Sequence, residues 1–239
     1  MSKEQLRQWA IASFSGLTIF SLFSLYLFFK KGQYNLYLAN KAAAEAALAL
    51  LGLVLLIGVL SRLYRRFDSW VAYRKELGIV CFFLALIHFF LSFFFLPHKF
   101  NLFYFRKNWL TFSLGLIGLL LLTYLFVISF EFLIAKLGRK RWWQHQVWGA
   151  RLAGLFAFSH FFLKEYHEWI EWFNLKEKVL NQPSLPPLSL LVGGFGIFVI
   201  LTRLSEFFGQ KAAQRLTFFL FVFLVLFFAA TFFLGIIKS

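Results

Sequence analysis

Three histidines, His88, His145 and His160, lie inside or at the mouth of apolar segments of the chain. Hydrocarbon holds no water to solvate an imidazole, so a ring at membrane depth needs a hydrogen-bond partner or a metal. Imidazole is a standard axial ligand of porphyrin iron. Three such rings on two segments suggest a heme gripped between helices. His88 sits near the middle of IVCFFLALIHFFLSFFF, His145 follows the basic run RKRWWQ, and His160 comes fifteen residues later. The plainer alternative for His88 is a hydrogen bond to a neighbouring helix. For His145 it is a solvated ring at the interface.

Depth selects the pair. Fifteen helical residues rise ~22 Å and turn ~60° beyond whole turns. His145 and His160 therefore share roughly one face at opposite depths, and one porphyrin cannot use both. His88 lies ~16 Å from the N-terminal-side end of its helix and His160 ~22 Å from the same side, with His145 near zero. Two axial ligands of one iron need similar depth, which favours His88 with His160. Starting the helix of His88 earlier, near Trp70, improves the match. His145 is then left to a second heme nearer the cytoplasm, with no opposite ligand to name.

Other side chains carry weaker signals. His98, after Pro97, and His167 read as wet interfacial residues and reserve ligands. A zinc site from His167, Glu168 and Glu171 has only loose spacing behind it. Arg151 is a cation within an apolar run; it is matched to a heme propionate, to Glu131, or to the inner interface by snorkelling. Arg74, Lys75 and Arg139–Arg141 are placed for inner propionates or an acidic partner, although topology signalling explains them more simply. Cys81 reads as a small buried hydrophobe. Trp142, Trp143 and Trp148 read as an interfacial belt.

The elements that must position these residues are membrane helices. The chain of 239 residues is 61% hydrophobic and 22% aromatic, with 37 phenylalanines, too many for an ordinary soluble core. Several apolar runs approach the ~20 residues that cross a bilayer. We expect seven spans: Trp9–Phe29, Ala42–Leu60, Leu77–Leu96, Trp109–Ala135, His145–Leu163, Leu188–Thr202 and Leu216–Ile237. The sixth is the shortest; it carries Gly193, Gly194 and Gly196 and follows the proline-rich stretch Pro183–Pro187. The run after the basic N-terminus is too long for a signal-peptide core and lacks a clear cleavage site, so it reads as a retained helix.

Formal net charge is +15. The lysines and arginines fall in short loops between apolar runs, which is a topology and headgroup pattern, so nucleic acid is rejected as a partner. The loops on the N-terminal side hold the larger share, which places the N-terminus in the cytoplasm. Glu165, Glu168, Glu171 and Glu177 then fall in an outer loop after the fifth helix. The fold class is all-α, an integral membrane bundle of six to seven helices. It divides into an N-terminal helix and loop (1–41), a heme-binding core (42–204) and an additional C-terminal helix (205–239).

Two stretches carry a family resemblance. RKELGI leads into LALIHFFLSFF, and VISFEFLIAKLGRKRWWQHQVW enters the fifth helix through Leu137-Gly138, a basic run, tryptophan and His145. Together they resemble the ferric-reductase-like transmembrane family, over about residues 42–200. The family includes the heme subunit of the bacterial periplasmic methionine-sulfoxide reductase system and, more distantly, ferric reductase and NADPH oxidase membrane domains. His160 stands for the second histidine of the fifth helix. The His145–His160 spacing is one or two residues longer than is common there, Gln146 replaces a usual arginine, and only His88 lies well inside the third helix.

The resemblance implies a b-type heme protein, with one heme or two, in an integral membrane setting matching a bacterial inner membrane. It implies electrons drawn from a cytosolic flavin reductase and passed to a periplasmic or extracellular acceptor: a periplasmic reductase, ferric iron or oxygen. The expected heme contacts are His88, His160 and His145 as ligands, with Arg151 and Arg74 beside them. The chain has no convincing Gly-rich dinucleotide loop, so flavin would come with a partner. A heme-free transporter or proton pathway using His88, Arg151 and His160 is a second class, and a non-catalytic assembly subunit a third.

Overall fold

The computed structural model describes residues 2–174 and 185–238. Among them there are nine α-helices and no strand. Six helical rods are long and apolar enough to cross a membrane: Lys3–Lys31, Leu36–Leu63, Arg65–Phe95, Trp109–Val127, Leu188–Phe208 and Gln210–Ile237. The protein is an all-α integral membrane bundle, as its composition requires.

Helix α1 (Lys3–Lys31) starts at a reciprocal cap: Ser2 Oγ accepts from Gln5 N–H, and Gln5 Oε1 accepts from Ser2 N–H. It ends at Gly32, whose φ of 66° is left-handed and so favours glycine. Helix α2 (Leu36–Leu63) is the axis of the bundle. Most of it is buried, and α1, α3, α7 and α8 all pack against it. The run NKAAAEAALALLG explains this, because small side chains let neighbouring backbones approach closely.

The third rod differs from the expected span in its start. Helical geometry begins at Arg65 as a 3₁₀ turn to Tyr73, continues as α3 (Arg74–Phe90), and widens into a π-turn over Leu91–Phe95. The early start agrees with the depth argument for His88. A short helix α4 (Leu102–Lys107), capped by Asn101, crosses to the fourth rod.

The expected fourth span, Trp109–Ala135, is broken. Helix α5 (Trp109–Val127) stops, and α6 (Glu131–Leu137) restarts after Phe130 turns extended. Side chains compete for the backbone here. Ser129 Oγ donates back to Leu125 O at 2.7 Å, while Trp142 Nε1 donates to Ile128 O at 3.0 Å. Gln146 Nε2 donates to Ser129 Oγ at 3.0 Å and Leu125 O at 3.3 Å. Carbonyls freed by the break are thus satisfied by the next helix.

That next helix, α7 (Arg139–Phe173), holds 35 residues where the expected span was His145–Leu163. It is the one expected span not apolar enough to count among the six. Arg151 and His160 interrupt its hydrophobic run, yet it packs along α5 and touches α2 and α8. Helix α8 (Leu188–Ser205) follows Pro187 and makes a full-length rod with the turn to Phe208. The start of the proline-rich stretch, 183–184, lies outside the described residues. Helix α9 (Gln210–Lys238) closes the chain.

Glycines set the closest approaches. A Cβ on Gly196 would come within 2.5 Å of the Phe158 ring, which is 2% exposed. Gly196→Ala should therefore destabilise the bundle by about 1–3 kcal/mol through overpacking, seen as a lower Tm in detergent. Phe158→Leu in the same chain should recover part of the loss.

Candidate functional site

His88 on α3 and His160 on α7 line one cavity between α2, α3, α5 and α7. Its walls are mostly apolar, with Leu48, Leu51, Leu119 and Leu122 among them. The backbone of α2 cannot reach His88, but a side chain can. Asn40, 2% exposed, places Oδ1 2.9 Å from His88 Nδ1. The amide is oriented from its other end, since Asn40 Nδ2 donates to Ser92 Oγ at 2.9 Å. Oδ1 is then an acceptor, and His88 Nδ1–H must donate.

His160 reaches the same state by another route. Its Nδ1 lies 2.7 Å from the carbonyl oxygen of Thr111 on α5. A carbonyl only accepts, so His160 Nδ1 also carries its proton. Gly115, one turn beyond Thr111, opens the space: a Cβ there would meet His160 Nδ1 at 2.7 Å and Cε1 at 2.9 Å. In the neutral ring this leaves a lone pair on Nε2. Anchoring Nδ1–H to an oxygen is the usual way a ligating histidine is held.

The other expected residues lie elsewhere. His145 is exposed and does not line the cavity; its Nδ1 is 2.9 Å from the Tyr124 hydroxyl. Arg151 stacks its guanidinium over Trp148, 4.7 Å from the ring centroid, and lines a shallow depression with Arg62 and Glu206. It does not pair with Glu131, which instead accepts from Gln5 Nε2 at 3.5 Å. Arg74 donates from Nε to Val54 O at 3.2 Å, lies against Gly58, and stacks on Trp143. These arginines belong to the α2–α3–α7 packing near the N-terminal end of the bundle. His98 is exposed, and His167 packs on Tyr166. No three His, Cys, Asp or Glu side chains among the described residues could hold a metal ion, so the loose zinc reading has no cluster behind it.

One correction concerns the acidic residues. Glu165, Glu168 and Glu171 are not loop residues, because α7 continues past them to Phe173, while Glu177 lies outside the described residues. Glu165 is buried, and both face Lys41 of α2, at 3.2 Å and 2.6 Å. Lys164 pairs with Glu165 at 2.8 Å. Lys41, Lys164, Glu45 and Glu165 all line the cavity, forming a polar wall at the end opposite the N-terminus. Cys81 is buried on the same cavity, and its thiol lies 3.2 Å from Ala47 O.

Sequence reasoning missed Asn40, Gly115 and this ionic wall. Asn40 had a signal, as a lone amide entering an alanine-rich apolar run. The Thr111 carbonyl had none, since any residue supplies one.

Residues 43–150 match the family model described as ferric reductase like transmembrane component. That stretch carries the family resemblance read in the sequence, and it marks an integral membrane protein of an electron-transfer type. It covers a little under half of the chain, holds His88 and His145, and stops short of His160. No curated protein matches the chain.

Two glycines on α5 separate the site from simple packing. Gly115→Ala should cost about 1–3 kcal/mol, because the new methyl displaces the His160 ring. A Cβ on Gly118 would meet Ala157, with its N nearest at 3.4 Å. Gly118→Ala should be near neutral, with a helix-propensity gain of up to about 1 kcal/mol. Paired thermal melts of the two variants check this.

Proposed function

We propose that the protein is a b-type heme electron carrier of the membrane, with His88 and His160 as axial ligands. The observation that carries this reading is the pair of imidazoles on one apolar cavity, each with Nδ1 tied to an oxygen and so free to offer Nε2 when the ring is neutral. Two nitrogens with no metal-binding cluster around them among the described residues make a poor site for a bare ion. They suit a metal that brings its own equatorial donors, as porphyrin iron does.

Porphyrin iron held by two imidazoles supplies one-electron transfer with little change of ligand geometry. This chain's residues do the positioning. Asn40 and Thr111 fix the tautomer and the ring planes, and Gly115 admits the His160 ring against α5. Leu48, Leu51, Leu119 and Leu122 would give such a group an apolar surround. Phe82, Phe126 and the other clustered rings are packing, and no role in transfer is assigned to them.

The direction of flow in this reading follows from the charge pattern, which puts the N-terminus in the cytoplasm. A cytosolic flavin reductase would give electrons at that side. An external acceptor would take them at the other, where the cavity's polar wall lies. A periplasmic reductase, ferric iron and oxygen are the acceptors this reading allows. His145, exposed and bonded to Tyr124, has no facing ligand and is assigned no heme.

A pyridine hemochrome assay tests the proposal directly. Native protein should carry one heme per chain. His88→Ala and His160→Ala should each lose most of it, while His145→Ala should keep it. Full heme content in both of the first two variants would defeat the assignment.

A further inference from the structure

The cavity's polar wall contains one carboxyl group that its neighbours do not satisfy. Glu45 is 2% exposed and lines the cavity, and neither carboxylate oxygen has a hydrogen-bond donor among the described residues. Its cation, Lys41, sits one turn back at 3.9 Å. Lys41 Nζ lies closer to Glu168 Oε2, at 2.6 Å, and to Glu165 Oε2, at 3.2 Å. Lys164 is held by Glu165. Three carboxyl groups thus share two ammonium groups.

Helices α1 and α8 bring further polar groups beside this wall. On α1, Tyr26 and Lys30 donate to backbone oxygens, Tyr26 to Pro186 O at 2.6 Å and Lys30 to Leu185 O at 2.8 Å. On α8, Ser189 Oγ donates to Glu168 Oε2 at 3.0 Å. Tyr37, Cys81 and Tyr104 complete the titratable groups on the cavity. An uncompensated charge in a low-dielectric interior is expensive. An electron arriving in the same cavity adds a second negative charge beside the first.

We infer that Glu45 is a proton site tied to the electron: it binds one proton when the centre between His88 and His160 is reduced and releases it on reoxidation. The inference rests on the two-histidine reading. A one-electron reductant supplies the electron and water outside the bundle supplies the proton. The carboxylate becomes a carboxylic acid, and no other bond changes. Glu168 is the entrance, because its side chain is part exposed, 23%, and bonded to Lys41. Lys41 passes an ammonium proton to Glu45 and is recharged through Glu168.

Redox titration of the purified holoprotein over a pH series tests this. The native midpoint should fall by about 59 mV per pH unit, the value of a tenfold change in proton activity for one electron. Glu45→Gln should keep the full heme absorption and give a flat midpoint. A flat native midpoint, or an unchanged slope in Glu45→Gln, overturns the inference. If the variant does not fold, the native reduced-minus-oxidised infrared difference spectrum decides. A gain of protonated-carboxyl absorption on reduction supports the proton site, and no gain overturns it. Native protein without any porphyrin absorption would sink the two-histidine reading and this inference together, whereas full absorption with no proton signal removes this inference alone.

Discussion

Two hydrogen bonds to imidazole Nδ1 govern the architecture around the cavity. Asn40 of α2 holds His88, and the Thr111 carbonyl of α5 holds His160. In hydrocarbon a ring nitrogen without a partner is costly, so each histidine ties its helix to another. His88 couples α3 to α2, and His160 couples α7 to α5. The four helices that enclose the cavity are therefore joined in pairs by the residues that face into it. The same bonds decide the chemistry, since they leave both Nε2 atoms as lone-pair donors.

Backbone detail elsewhere serves that arrangement. The α5 helix ends at Val127, and Trp142 and Gln146 of α7 cover the carbonyls its break exposes. This latch fixes how α7 runs along α5, four turns before His160 reaches Thr111. Gly115 and Gly118 then keep the two helices close enough for that bond to form. A π-turn begins three residues after His88 and carries Ser92, which orients the Asn40 amide. The site is built from spacing between helices rather than from any one segment.

Much of this was readable from the chain. Long apolar runs gave the rods, because length and hydrophobicity alone decide whether a helix can cross a bilayer. Rise per residue was enough to bring His88 and His160 to similar depth. Charged residues were read less well. Lys30, Lys41 and Glu165 lie outside the apolar runs and so read as loop residues, since an isolated sequence does not show which charges find buried partners. Arg74 meets the Val54 carbonyl and the Trp143 face, and Arg151 meets the Trp148 face, contacts that the sequence does not announce. The break after Val127 depends on Ser129, Trp142 and Gln146 acting together, and no local propensity announces such a combination. Asn40 was overlooked because its meaning lies across a helix interface.

The ion pairs of Lys41 have a temporal side. Its partners Glu165 and Glu168 follow it in the chain by 124 and 127 residues. At typical synthesis rates, that distance takes about 6–25 s to cover. Throughout that interval Lys41 has only Glu45, one turn along its own helix, as a counter-charge. The second rod therefore leaves the ribosome as a hydrophobic segment with an unfinished ionic end, and it must be sheltered by the insertion machinery until α7 arrives.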